Sequence, residues 1–336
     1  MRLWIIGLLA ILVMTWSNSV RAASAIKTIV VAHGAMNARV APLWIARDRG
    51  FFRAYGVDSE TLLVRGAPTL VAAMTSGDID VGYTGGPPIV TAAATGSDLK
   101  ILCAFTNHVT YDLVVRPGIK VPRDLEGKKF GVQVIGGSVW MGAILGLEHL
   151  GLDPDRDKIN LIALGDQSVL AQALASGMID ATVLDGVQSR RLHANGFPIL
   201  AELNKVNLPI LSVAIVVREA YIQKNPQIVE GVMKAVIESA AFALSPIQKP
   251  TTLKILQDHL KIGEKEAEEG YNDMVNGFDR KPYASPQGVQ NTVRLMKTRF
   301  PNVAKVKPED VIDNRILKRL DQSGFIDEMY AKYGVK

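Results

Sequence analysis

The chain has 336 residues, of which 48% are hydrophobic, 21% charged and 6% aromatic, and its formal net charge is +5. This composition excludes a disordered, collagenous or coiled-coil protein, and the length is sufficient for about two domains. Cys103 is the only cysteine, so the chain can form no disulfide within itself and no cysteine-based metal centre. No run of basic residues exceeds two, which argues against nucleic acid as a partner.

The first segment, residues 1–22, is typical of a secretory signal peptide. Arg2 supplies a positive charge, residues 3–14 form an unbroken apolar run, and small residues follow around Ala22 and Ala25. Cleavage after Ala22 or after Ala25 fits this pattern, whereas a membrane anchor requires about twenty apolar residues. We therefore expect an exported protein, with an uncleaved anchor as the alternative.

An internal repeat organises the rest of the chain. The segment Ala73–Asp80 (AMTSGDID) returns as Ala173–Asp180 (ALASGMID), at an offset of 100 residues. A period of this length indicates duplication of a whole α/β unit, because solenoid repeats are much shorter. Short β-rich runs alternate with helical ones in both units, which predicts parallel sheets with helical crossovers.

The predicted elements alternate along both units. Strands are expected at 26–32, 59–64, 79–83 and 100–105 in the first unit, and at 129–134, 159–163 and 179–184 in the second. Helices are expected at 40–54, 69–76, 139–150 and 169–176, most of them followed by glycine.

Two extended stretches, 111–116 and 211–218, fall where the chain would pass between the units. From residue 218 onward the pattern becomes helical, and 226–244 carries an apolar stripe at helical spacing. We expect this tail to pack on the first unit, which makes the second unit an insertion. The predicted division is a signal peptide (1–22), a first lobe in two parts (23–113 and 214–336) and a second lobe (114–213).

Four sequence blocks match those of one family in order and spacing. They are residues 42–58 (PLWIARDRGFFRAYGVD), 73–80, 124–132 (DLEGKKFGV) and 174–181. The chain therefore resembles the substrate-binding proteins of ABC importers, in the group for sulfonates, taurine, nitrate and thiamine-pyrimidine precursors. The resemblance implies a type II periplasmic binding fold, whose hinged lobes close over a small-molecule ligand and then dock on an inner-membrane permease. We accordingly expect a periplasmic monomer that is not an enzyme and has no cofactor or metal.

Candidate ligand contacts follow the carboxyl ends of the predicted strands, where open α/β sheets bind their ligands. Glycine lets the backbone approach a ligand there, and hydroxyl, amide or carboxylate groups supply hydrogen bonds. In the first lobe the candidates are His33, Asn37, Gly66, Thr84, Gly85, Gly86 and Asn107. In the second lobe they are Gly137, Ser138, Val139, Trp140, Asp166 and Asp185.

Several of these residues also have a purely structural interpretation. Ser138 and Asp185 are placed to cap helices, and a lone histidine such as His33 more often contacts local backbone. Trp140 is expected to form an apolar wall of the site. The pair in 78–80 suggests a metal site, but no other carboxylate or histidine accompanies it.

The residues favour a small organic or inorganic anion as the ligand. The loop 84–88 (TGGPP) lacks the acidic residue that some relatives carry there, which removes a partner for a cation. A neutral heteroaromatic stacked on Trp140 is an alternative ligand. An exported enzyme on the same fold is a further alternative, although the sequence has no nucleophile elbow, HExxH pair or P-loop. A ligand sensor for a receptor kinase would share the binding chemistry.

Overall fold

The structure is a computed structural model, and it describes residues 27–335. The predicted signal peptide (1–22) and its cleavage points lie outside the described residues, so they remain a prediction. Between residues 27 and 335 no helix combines the length and the apolar composition that crossing a bilayer requires.

Two separate five-stranded sheets organise the described part of the chain. The strands are β1 (Lys27–His33), β2 (Val57–Leu63), β3 (Val81–Thr84), β4 (Leu99–His108), β5 (Asp112–Val115), β6 (Lys129–Val132), β7 (Asn160–Ala163), β8 (Ala181–Leu184), β9 (Ile199–Glu202) and β10 (Pro209–Arg218). The first sheet has the order β2-β1-β3-β10-β4, and the second has the order β7-β6-β8-β5-β9. In each sheet three neighbouring strands are parallel, and the fourth position holds a strand antiparallel to both neighbours. The two sheets thus share one topology, as the duplication predicts.

Helices cover the faces of both sheets. The α-helices are α1 (Ala41–Asp48), α2 (Phe51–Ala54), α3 (Ala67–Ser76), α4 (Pro87–Ala93), α5 (Ser138–His149), α6 (Gln167–Ala175), α7 (Gly186–Ala194), α8 (Glu219–Lys224), α9 (Pro226–Leu244), α10 (Lys249–Leu260), α11 (Glu264–Gly277), α12 (Pro286–Met296), α13 (Pro308–Val311), α14 (Arg315–Gln322) and α15 (Phe325–Lys332). Short 3₁₀ helices lie at Ala38–Val40, Pro122–Leu125, Leu203–Lys205 and Pro301–Lys305. The single helix predicted over 40–54 is two helices, because Gly50 has a φ of 73° that an α-helix cannot continue. We call the first sheet with its helices the first lobe, and the second sheet with its helices the second lobe.

The repeated segments perform the same structural task in both lobes. Each ends a helix, α3 or α6, at a glycine with positive φ. Their last residues, Asp80 and Asp180, accept hydrogen bonds from backbone N–H groups of the neighbouring strand, at Val30 (2.9 Å) and Lys129 (3.0 Å). Asp78 instead accepts a hydrogen bond from a serine hydroxyl at the end of α3 (2.7 Å). The repeated segment therefore connects a helix to the sheet in the same way in both lobes.

The chain passes between the sheets at residues 109–111 and 203–208. The stretches predicted to make these crossings, 111–116 and 211–218, are extended, but they lie mostly within β5 and β10. Their β-branched residues are buried in one sheet each, which is why they pair as strands instead of bridging the lobes. The predicted lobe boundaries at 113/114 and 213/214 fall inside these two strands, and that division of the chain stays a prediction.

The C-terminal helices pack mainly on the first lobe, as predicted. α9 packs against α1, α2 and β2, α12 packs on β10, and α14 packs on β4. α9 carries Glu238, whose side chain is 3% exposed. Its carboxylate accepts hydrogen bonds from the Tyr55 hydroxyl (2.6 Å), the Lys332 ammonium (2.6 Å) and the Tyr333 hydroxyl (2.7 Å). Glu238 thereby joins three segments that are distant in the sequence.

The single thiol lies in the core of the first lobe, so we expect it to be inert. Cys103 is fully buried in β4, and burial raises the pKa of its thiol to about 12. The reactive species is the thiolate, so a thiol reagent at neutral pH should label the native protein at least about 100-fold more slowly than the unfolded chain. Labelling with Ellman's reagent with and without denaturant measures this ratio, and rapid labelling of the native protein would contradict the assignment.

Candidate ligand-binding site

A cavity lies between the two lobes, at the carboxyl ends of strands from both sheets. Its walls come from the loops after β1, β3, β6 and β7, together with residues of β10. About 90 Å³ is open to the centres of water-sized molecules. One water needs roughly 10–15 Å³ on this measure, so the cavity has room for a small solute of several non-hydrogen atoms.

Among residues 27–335, the only positively charged side chain that lines the cavity is that of Arg39, which is 2% exposed. The backbone of Arg39 is fixed by two contacts: Asn37 Oδ1 accepts from its N–H (3.1 Å), and the Tyr83 hydroxyl donates to its carbonyl (2.9 Å). Its guanidinium lies 5.1 Å from the ring centre of Tyr111, and its Nη1 donates to the Thr110 hydroxyl. These contacts hold a desolvated cation at the cavity wall.

Two buried donor atoms of cavity-lining residues have no acceptor. Arg39 Nη2 and Gln167 Nε2 make no hydrogen bond to any residue between 27 and 335. The Gln167 side chain is held from its other end, because its Oε1 accepts from the Asp185 backbone N–H (3.0 Å). Buried donors are almost always paired in native proteins. Such a guanidinium N–H and amide N–H are suited to bind the oxygens of an anion.

Seven of the thirteen predicted residues line this cavity. Thr84 and Ser138 bring hydroxyl groups from opposite lobes, and Asn37 caps the 3₁₀ helix that carries Arg39. The loops after β3 and β6 are where parallel strands end, which is why strand position alone located them. The seven residues are Asn37, Thr84, Gly85, Gly137, Ser138, Val139 and Asp166.

Four predicted polar or glycine residues do not themselves line the cavity. His33 Nδ1 is hydrogen-bonded to the Ala35 carbonyl (2.8 Å), which is the local backbone contact considered above. Asn107 donates to Asp279 (2.8 Å) and to two backbone carbonyls, and so fastens β4 to the C-terminal part of the chain. Gly66 precedes α3 with a φ of 88°, and the Gly86 N–H donates to a carbonyl of β10 (2.9 Å).

Trp140 and Asp185 also lie outside the lining. Trp140 is 2% exposed and packs in the core, with the Arg299 guanidinium 6.0 Å from its ring centre, so it forms no wall of the cavity. Asp185 caps α7 by accepting from the Gln188 N–H (3.1 Å), as the structural interpretation has it. Both residues follow strand ends in the sequence, but α5 and α7 turn their side chains inward.

Sequence reasoning missed the two donors that define the site. Arg39 lies two residues beyond the candidate loop after β1, in a 3₁₀ helix that the apolar pattern did not reveal. Gln167 is adjacent to the predicted Asp166. A basic residue so close behind a strand end was the one available signal for Arg39.

Ion pairs cross between the lobes at the edge of the cavity and beyond it. Asp166 is bound by Arg65 of the first lobe and accepts from Gln133 Nε2 (3.1 Å). Farther away, Arg294 of α12 makes a bidentate pair with Glu148 of α5, with both contacts at 2.8 Å. Both arginines are partly exposed, so each pair contributes only modestly to holding the lobes together.

Ser138 is the first residue of α5, and its hydroxyl makes no capping hydrogen bond, since the N-cap is Gly137. A Cβ placed on Gly85 of the first lobe would lie 2.0 Å from Ser138 Oγ, so this hydroxyl sits against the opposite lobe. We expect Ser138→Ala to leave the melting temperature of the ligand-free protein nearly unchanged and to weaken ligand binding by about 3- to 10-fold, the range for one neutral hydrogen bond. Melting the variant with and without a bound anion separates these effects, and a loss of stability only in the empty protein would identify a structural role.

The residues that the structure describes contain no cluster of metal-ligating side chains. Between residues 27 and 335 no three His, Cys, Asp or Glu side chains are grouped to hold a metal ion. Asp80 is committed to a backbone N–H of β1, which accounts for one member of the predicted acidic pair.

The two sheets, their helices and the cleft between them form a two-lobed α/β fold. A family model described as "NMT1/THI5 like" matches residues 37–249, and the chain belongs to this family. The taurine-binding periplasmic protein of Escherichia coli (strain K12) is 26% identical over 196 residues, which cover 57% of this chain and 59% of that protein. The chain spans about three fifths of the length of the curated relatives it matches.

Solved structures agree with this fold. The alkanesulfonate-binding protein of Xanthomonas axonopodis pv. citri, solved with bound MOPS, superposes with a TM-score of 0.68 at 18% identity, covering 84% of this chain and 95% of that chain. The nitrate-binding protein of Synechocystis PCC 6803 superposes with a TM-score of 0.72 at 16% identity, covering 89% of each chain. At these identities the likeness establishes the type II periplasmic binding fold, and the predicted fold class is confirmed.

Proposed function

We propose that this chain is an exported solute-binding protein that captures a small anion in the cavity between its lobes and delivers it to an ABC importer permease. The observation that carries the proposal is that two residues lining the cavity, Arg39 and Gln167, each have a buried side-chain donor, Nη2 and Nε2, with no acceptor among residues 27–335. A buried guanidinium costs free energy to desolvate, and an anion bound to it offsets that cost. Sulfonates, nitrate and carboxylates all present oxygens in the geometry that a guanidinium binds.

A ligand in the cavity would contact groups from both lobes. Thr84 and Arg39 belong to the first lobe, whereas Ser138 and Gln167 belong to the second. A ligand held by both sets of groups stabilises the arrangement in which the lobes are close, by no more than its preference for that arrangement. The position of these groups on both lobes supports closure of the lobes over the ligand. The closed form is the one that a permease would recognise.

The relatives support the same class of ligand. The names of three similar proteins refer to taurine, to an alkanesulfonate and to nitrate, all of which carry an anionic oxygen group. The alternative of a neutral heteroaromatic rested on Trp140, which packs in the core. An anion is therefore the better-supported ligand.

The proposal is tested by thermal unfolding of the purified mature protein with a panel of small compounds. The panel contains nitrate, methanesulfonate, taurine and acetate, and a neutral aminopyrimidine serves as the matched control. An anion present at 100 times its dissociation constant should stabilise the protein by about 2.7 kcal/mol. Cationic buffers are needed, because a sulfonate buffer such as MOPS is itself a candidate ligand.

Three results would overturn the proposal. Stabilisation by the aminopyrimidine alone would identify a neutral ligand. Disappearance of a panel compound during incubation, followed by nuclear magnetic resonance, would indicate an enzyme. Stabilisation by none of the anions would remove the assignment of Arg39 as an anion-binding residue.

A further inference from the structure

Two carboxylates from different lobes lie at the amino terminus of α7, next to the cavity-lining residue Gln167. Asp185 is the N-cap of this helix and is 4% exposed. Asp273, on α11 of the first lobe, is half-buried, and its Oδ2 accepts from the Gly186 N–H at 2.7 Å. A Cβ added to Gly186 would meet the Asp273 carboxylate at 2.2 Å, so the two lobes are in close contact here.

This carboxylate pair is connected to the cavity wall in two ways. Gln167, one of the two unpaired donors, accepts the Asp185 backbone N–H through its Oε1. The 3₁₀ helix that carries Arg39 packs into the same junction, because a Cβ on Gly270 of α11 would lie 2.7 Å from Ala38 and 3.3 Å from Val187 of α7. The pair is therefore linked to Gln167 by a hydrogen bond and to the helix that carries Arg39 by packing.

The junction has more negative than positive charge. Arg39 is the cation that acts on both Asp185 and Asp273, and it lowers the pKa of each. Burial acts in the opposite direction and is stronger, so the pKa of Asp185 is raised and that of Asp273 is raised to about 7. The Oδ2 of Asp112 in β5 accepts from the Ser189 hydroxyl and lies 3.7 Å from Arg190 Nη2, whereas its buried Oδ1 has no hydrogen bond among residues 27–335. Burial lowers the pKa of His108 at the end of β4. Lys249 of α10 pairs with Glu268, away from the pair.

We propose that the cavity takes a singly charged anion together with one proton, which the Asp185–Asp273 pair accepts. This proposal rests on the proposed function, because it assumes that the ligand binds Arg39. An anion on Arg39 competes with the two carboxylates for one positive charge. Protonating one carboxylate restores the balance: the proton comes from solvent and forms an O–H bond on a carboxylate oxygen, and the net charge of the junction is unchanged.

The charge balance also fixes the class of ligand. A doubly charged anion such as sulfate would need a second proton or a second cation, and Arg39 is the sole cation among the residues that line the cavity. The cavity should therefore discriminate against dianions and accept nitrate or a sulfonate. By linkage, a ligand that raises the pKa of the pair binds more tightly when the pair is protonated, so affinity should fall as the pH rises.

The test measures affinity by calorimetry for nitrate, methanesulfonate, taurine and sulfate at pH 6, 7 and 8, in cationic buffers at constant chloride. For the monoanions that bind, we expect the affinity to fall by about 5- to 10-fold from pH 6 to pH 8, as one linked proton with a pKa near 7 requires. Repeating the titration in buffers of different ionisation enthalpy counts the protons taken up directly. Sulfate should bind at least about 10-fold more weakly than the best monoanion, since its second charge is unbalanced.

Asp273→Asn supplies the variant, because asparagine keeps an oxygen that can accept from the Gly186 N–H but does not titrate. Its affinity should vary less than about twofold over the same pH range. Asp313→Asn is the matched control: this carboxylate is 8% exposed and paired with Arg315, and its variant should retain the wild-type pH dependence. Should Asp273→Asn fail to fold, the proton count on the wild-type protein decides alone.

The outcomes separate this inference from the proposed function. Monoanion binding with no pH dependence and no proton uptake overturns the inference and leaves the proposed function intact. Sulfate binding as tightly as the monoanions, or an unchanged pH dependence in Asp273→Asn, does the same. Failure of every anion to bind overturns both.

Discussion

Replacing Arg39 with glutamine is expected to reduce anion affinity by at least about 30-fold, because truncating one partner of a buried charge pair costs 2 kcal/mol or more. Arg39 lines the cavity and is 2% exposed, and its Nη2 is a buried donor with no acceptor among residues 27–335. Arg39→Lys should fall between the two, since lysine retains the charge but loses the planar pair of donors. Calorimetric titration with the anion that binds the wild-type protein measures all three affinities.

Arg53→Gln is the matched control for this experiment. The Arg53 side chain is 69% exposed and pairs with Asp58 on the surface, far from the lining of the cavity. Its variant should bind the anion as the wild-type protein does. An Arg39→Gln protein that is folded, as judged by its circular dichroism and melting curve, and that keeps its affinity within about threefold would refute the site.

Replacing Glu238 with alanine should destabilise the protein by about 2–4 kcal/mol, because buried donors lose their acceptor and a buried ion pair loses one member. The carboxylate accepts from Tyr55, Lys332 and Tyr333, and these hydrogen bonds outweigh burial and lower its pKa. Stability from a carboxylate with a lowered pKa is present at neutral pH and is lost as the pH falls through that pKa. Denaturant unfolding at neutral and acidic pH measures both effects.

Glu230→Ala on the same helix provides the comparison. Glu230 is partly exposed and pairs with Lys234 and Arg319, so its removal should cost less than about 1 kcal/mol. Glu238→Gln should retain part of the stability and lose the acid sensitivity. If the two alanine substitutions lowered the free energy of unfolding equally, the buried hydrogen bonds of Glu238 would contribute no more stability than the surface ion pairs of Glu230.

The two sheets and their order along the chain were accessible from the sequence, because apolar periodicity and a duplicated segment report on local structure. The repeat ending in Asp80 and Asp180 was informative, since both residues anchor the neighbouring strand in the same way. The first and last residues of helices were harder to predict from the sequence. Gly50 splits a predicted helix through a backbone dihedral that hydrophobic spacing does not contain.

The candidate site was predictable only where it follows from strand ends. Thr84 and Ser138 follow strands and line the cavity, whereas Trp140 is two residues farther into α5 and faces the core. Arg39 depends on contacts with Tyr83 and Tyr111, which come from other parts of the chain. Such placement is decided by tertiary packing, which a basic residue close behind the end of β1 does not reveal by itself.

The antiparallel strand of each sheet has a consequence for the order of assembly. All strands of the second sheet lie within residues 112–202, but the neighbouring strand of β4 in the first sheet is β10, about 110 residues later. During synthesis, which proceeds from the amino terminus, the edge of β4 that pairs with β10 stays unpaired until β10 has been made. Unpaired strand edges favour aggregation. We expect pulsed hydrogen exchange during refolding to protect amides of β6 and β8 before those of β4. A chain interrupted before residue 209 would contain every strand of the second sheet but would lack β10 of the first sheet.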